Sequence, residues 1–81
     1  MWFVYVLLCR GGSLYTGISN DPEQRFLEHQ KGKGGKYTWS HKPIKILYTE
    51  KLPDKSSALK RELEIKSWRR EKKILNLNLI I

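Results

Sequence analysis

Cysteine is nearly missing from this chain. Cys9 stands alone among 81 residues, so no intrachain disulfide forms and a reducing, cytoplasmic compartment is expected. Long apolar runs are missing too. No stretch approaches the roughly 18 apolar residues that span a bilayer, so no membrane partner is expected. The apolar run Trp2 to Cys9 has no basic side chain before it, which argues against a signal peptide. Acidic residues are scarce: eight Asp and Glu face sixteen Lys and Arg, leaving a net charge of +8. An imbalance of that size selects polyanions as partners, nucleic acid first among them; the plainer reading is a basic soluble protein with no special partner. Cys9, His29 and His41 are too few and too badly spaced for zinc. There is no GxxxxGK[ST] loop for nucleotide phosphates either.

What the chain does have is a set of aromatic and β-branched runs divided by turn residues. "WFVYVLLC", Trp2 to Cys9, is apolar without alternation, which suits a central strand buried on both faces. Arg10-Gly11-Gly12-Ser13 reads as a turn and "LYTGIS" as the returning strand. Asp21-Pro22 starts a helix, with Asp21 as its cap, that runs to about Gln30. The glycines of "KGKGG" end it in a basic loop. "IKILYTE", Ile44 to Glu50, is a third strand. "PDKSSALKRELEIKSWRREKK" reads as one helix capped by Asp54 or Ser56, and "ILNLNLII" as its continuation, a short strand or an apolar arm. The order β-β-α-β-α(-α) predicts a single α+β domain, residues 1–81, with a small three-stranded antiparallel sheet flanked by helices.

Tyr5 and Tyr15 lie on opposite arms of the first hairpin, so the turn decides whether they share a face. A two-residue Gly11-Gly12 turn separates them. A three-residue Gly11-Gly12-Ser13 loop sets Tyr5 opposite Ser19 and Tyr15 opposite Cys9, on one face. Gly17 interrupts the strand, which marks either helix packing or the close approach of a ligand. Arg25 and His29 share a helical face. They form either a solvated surface or a phosphate-binding fork beside a proton carrier. Glu62 stands where the apolar stripe of the later helix would continue. A carboxylate there needs a cationic partner, Arg25 or Lys66, or a metal. One inward carboxylate suits one Mg²⁺ that keeps most of its waters.

Taken together, these residues resemble the GIY-YIG nuclease family, in particular its small stand-alone bacterial (YhbQ/YazA-like) branch. Phe3-Val4-Tyr5 stands at the first motif and Tyr15-Thr16-Gly17 at the second. Asp21-Pro22, Arg25-Phe26-x-x-His29 and Ala58-Leu59-x-x-Glu62 follow in order. The first motif lacks its leading glycine and isoleucine, and Thr16 replaces an isoleucine. The resemblance implies a metal-dependent endonuclease acting on phosphodiesters, usually in DNA, including branched or damaged structures. Carried over by position, Tyr5 and Tyr15 order and activate water, Arg25 stabilises the scissile phosphate and His29 assists. Glu62 holds Mg²⁺ (or Mn²⁺), and Gly17 is the motif glycine. Asn76 or Asn78 stands where many members carry an asparagine.

Lys31, Lys33 and Lys36 flanking the first helix, with Lys66, Arg69, Arg70, Lys72 and Lys73 on the second, extend a substrate-binding face. Tyr37 or Trp39 serves for stacking on a base, or for packing. A non-catalytic nucleic-acid-binding module with the same fold, or a basic ribonucleoprotein component, explains the charge equally well. Neither requires the inward glutamate. DNA is favoured over RNA as partner, and a homodimer is compatible with the chain.

Overall fold

The computed structural model describes residues 1–32 and 41–81. Three strands, β1 (Trp2–Cys9), β2 (Leu14–Ser19) and β3 (Pro43–Leu52), form an antiparallel sheet in the order β2-β1-β3. The helices are α1 (Pro22–Gln30), α2 (Lys55–Lys66) and α3 (Arg70–Asn76). The α+β class and the element order match the reading of the sequence, and β1 is central as its unbroken apolarity requires.

β1 alternates between two cores. Val4 and Val6 pack with Ala58, Ile65, Leu77 and Leu79 on the face covered by α2 and the C-terminal segment. Tyr5, Leu7 and Cys9 point the other way, against Tyr15, Phe26 and Ile46. Cys9 is fully buried, and burial raises its thiol pKa; it behaves as a small core hydrophobe.

The hairpin turn differs from both expected forms. β1 and β2 pair Tyr5 with Gly17 and Leu7 with Tyr15, and the Cys9 amide donates to the Ser13 carbonyl at 2.9 Å. The loop is therefore Arg10-Gly11-Gly12, three residues long but one position earlier than expected. Gly11 and Gly12 have φ of 87° and 88°, a region open to glycine without steric cost. Ser13 has its carbonyl in the ladder and is not part of the loop. The shift keeps the odd loop length, so Tyr5 and Tyr15 do share a face.

The long helix expected from Pro53 to Lys73 is in fact two. It stops at Ser67, whose hydroxyl donates to the Glu64 carbonyl at 2.6 Å. Arg69 then turns extended before α3 begins. No glycine or proline signals this break. It brings Trp68, Ile74, Leu77 and Leu79 onto the same core as Val4 and Val6, burial that one straight helix would forgo. The tail is thereby resolved into the end of α3 followed by an apolar arm. Asp21 caps α1 through the Gln24 amide at 3.2 Å, and Asp54, not Ser56, caps α2 through the Ser57 amide at 2.7 Å. β3 extends beyond the expected Ile44 to Glu50 at both ends.

Candidate active site

The face of the sheet beneath α1 gathers the chemistry. Because α1 begins at Pro22 on a fixed cap, one turn separates Arg25 from His29 and both look toward the hairpin. His29 is completely buried, which settles the choice left by the sequence: it is no surface residue. Its Nε2 lies 3.0 Å from the Tyr5 hydroxyl. The Tyr15 ring meets the imidazole edge-on, 5.1 Å between centroids, and the two tyrosine rings are 6.3 Å apart.

Burial, then the neighbouring Tyr15 hydroxyl, pushes the Tyr5 pKa up to about 12. Hydrogen bonding and charge from Arg25 oppose this rise, while the Glu62 carboxylate adds to it. Those influences place Arg25 and Glu62 in the electrostatic reach of one hydroxyl. His29 is shifted the other way: burial and the Arg25 charge lower its pKa below the usual value, and Glu28 offsets part of this. At neutral pH the pair is a protonated phenol and a neutral imidazole.

Gly17 leaves room for this arrangement. A Cβ there would lie 2.5 Å from the Tyr5 hydroxyl oxygen, 2.7 Å from its Cζ and 3.2 Å from Tyr15 Cε2. The missing side chain lets the Tyr5 ring end lie over the backbone of the edge strand. The close approach anticipated at Gly17 is thus first of all to a tyrosine of this chain.

Arg25 and Glu62 each have a partner. Arg25 Nη1 donates to Glu28 Oε1 at 3.1 Å, with both side chains 39% exposed. Glu62 Oε2 pairs with Lys66 Nζ at 3.1 Å, and the Glu62 side chain is only 14% exposed. Of the two partners considered for Glu62 from sequence, Lys66 is the one that binds it. Glu28 was not anticipated, although its three-residue spacing from Arg25 is a pairing signal.

Among the described residues no group of three or more His, Cys, Asp or Glu could hold a metal. The donor set therefore does not fit zinc or a two-metal centre. The half-buried Glu62 carboxylate, paired with Lys66, is an oxygen donor of the kind a hard cation that retains most of its waters takes.

The remaining basic candidates spread outward. Lys31 caps the end of α1 and is exposed, as is Arg69 before α3. Lys33 and Lys36, with Tyr37 and Trp39, lie outside the described residues. Asn76 and Asn78 are solvent-exposed at the end of α3, Asn78 with a left-handed φ of 53°.

The family model for the GIY-YIG catalytic domain matches residues 1–76. The chain belongs to the GIY-YIG family. It is 51% identical over 73 residues to a UPF0213 protein of Cupriavidus pinatubonensis, covering 90% of this chain and 81% of that one. A UPF0213 protein of Staphylococcus saprophyticus is 46% identical over 72 residues, covering 89% and 88%. The solution NMR structure of a UPF0213 protein from Bacillus halodurans superposes with a TM-score of 0.61 at 38% identity, covering 96% of this chain and 84% of that chain. These likenesses set the chain among small bacterial GIY-YIG proteins. The family is one of nucleases, with nucleic acid as its substrate class and divalent metal ions in general use. No helix among the described residues is long and apolar enough to cross a membrane.

Proposed function

We propose that residues 1–81 form one GIY-YIG domain that hydrolyses phosphodiester bonds in DNA with Mg²⁺ (or Mn²⁺), on branched or damaged structures. The observation that carries this reading is the buried hydrogen bond between Tyr5 and His29, made next to Arg25 and Glu62. A binding module needs no buried phenol joined to a neutral imidazole.

A phenol with a pKa of about 12 is a poor base by ionisation, so Tyr5 works as a relay. Its oxygen accepts a proton from the attacking water while its own proton passes to Nε2 of His29. The water's oxygen, left as hydroxide, attacks phosphorus, the bond from phosphorus to the leaving oxygen breaks, and that oxygen takes a proton from solvent water. Neutral His29 is ready to accept, because burial and Arg25 hold its pKa down. Tyr15 packs its ring against His29 and keeps the imidazole oriented. Arg25 exchanges Glu28 for the non-bridging oxygens, where donors count most as charge builds. Glu62 would hold the metal, which supplies Lewis-acid neutralisation of the phosphate. Lys31, Lys33, Lys36 and Arg69 supply further phosphate contacts. DNA rather than RNA, and a homodimer as the assembly, complete the reading.

The test uses purified protein and labelled single-stranded, duplex, flap and four-way-junction DNA, with Mg²⁺ or EDTA. Wild type is expected to nick in Mg²⁺ only, and Tyr5→Phe to lose about 10²–10⁴-fold in rate, the usual worth of positioned proton transfer. Cleavage that persists in Glu62→Ala would sink the metal assignment. Binding without cleavage in any metal would leave a nucleic-acid-binding module.

A further inference from the structure

One cation near the site has no counter-charge among the described residues. Lys73 on α3 is half-buried, and its Nζ donates to Thr16 Oγ1 at 3.4 Å. Burial and the nearby Lys66 charge lower its pKa. Among the described residues it makes no ion pair, in contrast to Lys66, which holds Glu62. Removing an ammonium from water without an anion is costly. That cost is recovered when an anion arrives.

The position of Lys73 says where the anion comes from. Thr16 stands between Tyr15 and Gly17 on β2, which among the described residues is an edge strand paired with β1 alone. Successive side chains alternate across a sheet, so Tyr15 faces His29 while Thr16 faces the opposite side with Val6. Lys73 therefore approaches the motif strand from the side away from the tyrosines. Lys66 links it to Glu62 by charge proximity, and Glu62 acts on Tyr5. Arg70 anchors α3 to the hairpin through the Gly12 carbonyl at 3.0 Å, so Lys73 is mounted on a tethered helix. Two cation groups thus flank the edge strand, Arg25 on one side and Lys66 with Lys73 on the other.

We propose that Lys73, seated on Thr16 and flanked by Lys66, is a substrate-positioning residue that takes a backbone phosphate next to the scissile one. This inference rests on the nucleic-acid reading above and adds to it a second phosphate seat, across β2 from Arg25. A lysine suits the role as a compact point charge rather than a bidentate fork. Its neighbour Lys72 is instead exposed, with its amine over the Trp68 ring at 5.6 Å.

The experiment measures binding of a labelled DNA duplex in EDTA, so that cleavage does not enter, over a range of salt. Lys73→Met keeps most of the apolar stem and removes the charge. It is expected to bind about tenfold more weakly, the worth of one hydrogen bond to a charged group. Its log Kd against log salt slope should be smaller by about 1, with restoration in Lys73→Arg. Lys51→Ala, on exposed β3, should change affinity less than about twofold. The wild-type Lys73 amine signal in NMR should move on titration with the same duplex, a readout that needs no variant. Unchanged affinity and slope in folded Lys73→Met, or an amine signal that stays still while the duplex binds, overturns the second seat and leaves the nuclease reading intact. A wild-type protein that binds no DNA overturns both.

Discussion

Tyr5, Gly17 and His29 depend on one another. Gly17→Ala puts a methyl 2.5 Å from the Tyr5 hydroxyl oxygen, and the buried ring has little room to yield. The expected cost is about 1–3 kcal/mol, typical of overpacking, together with loss of the Tyr5–His29 hydrogen bond. Urea unfolding checks the first and the His29 ring chemical shifts the second. His29 also has a pH signature. Its folded pKa is lowered from 6.5 by burial and Arg25, so below that pH the unfolded chain binds the extra proton first. Its stability contribution is complete above about 6.5 and declines as pH falls toward the folded pKa. Unfolding midpoints measured from pH 7.5 to 5 should fall in wild type and flatten in His29→Gln. By the same shift, cleavage should hold its rate below pH 6.5, where an unperturbed histidine would already be protonated. A rate–pH profile with its acid limb at or above 6.5 contradicts the relay.

At the scale of elements, caps and turns aim the site. Asp21 starts α1 and so sets the direction of Arg25 and His29. Asp21→Ala should cost about 1 kcal/mol and lower cleavage further than stability alone accounts for, as seen by comparing rates with wild type at equal folded fraction. Gly12 has a φ of 88°, and Gly12→Ala should cost about 1–2 kcal/mol, read as a lower unfolding midpoint. The cap, Pro22 and the strand pattern were legible because each acts on its own neighbours. The exact turn was not. Arg10-Gly11-Gly12 and Gly11-Gly12-Ser13 share nearly the same residues, and only the pairing of Cys9 with Ser13 separates them. The break between α2 and α3 was hidden for a related reason. "KSWRREKK" has ordinary helix formers, and the chain turns there because Trp68, Ile74 and Leu77 gain burial on the sheet.

At the scale of the whole molecule, net charge of +8 and the split of β1 between two cores govern behaviour. If about five cations meet phosphates, log K should fall with log salt at a slope near −4 to −5. Fluorescence anisotropy on duplex DNA from low to moderate salt measures it. A slope near zero removes nucleic acid from the reading. The sheet separates the tasks: one face, with Val4, Val6, Ala58 and Ile65, is apolar core, while the other carries Tyr5, Tyr15 and His29. Edge strand β2 lies between the two, which lets α2 and α3 bring Glu62, Lys66 and Lys73 to the same strand that presents Tyr15.

The sequence by itself determined the fold class, the central place of β1 and the start of α1. Those follow from local periodicity, capping and motif order, each written in a few adjacent positions. Only the tertiary structure decided the hairpin register, the burial of His29, the choice of Lys66 for Glu62 and the seat of Lys73 on Thr16. These depend on which groups lose water together across segments distant in the chain, and no short window of sequence carries that information.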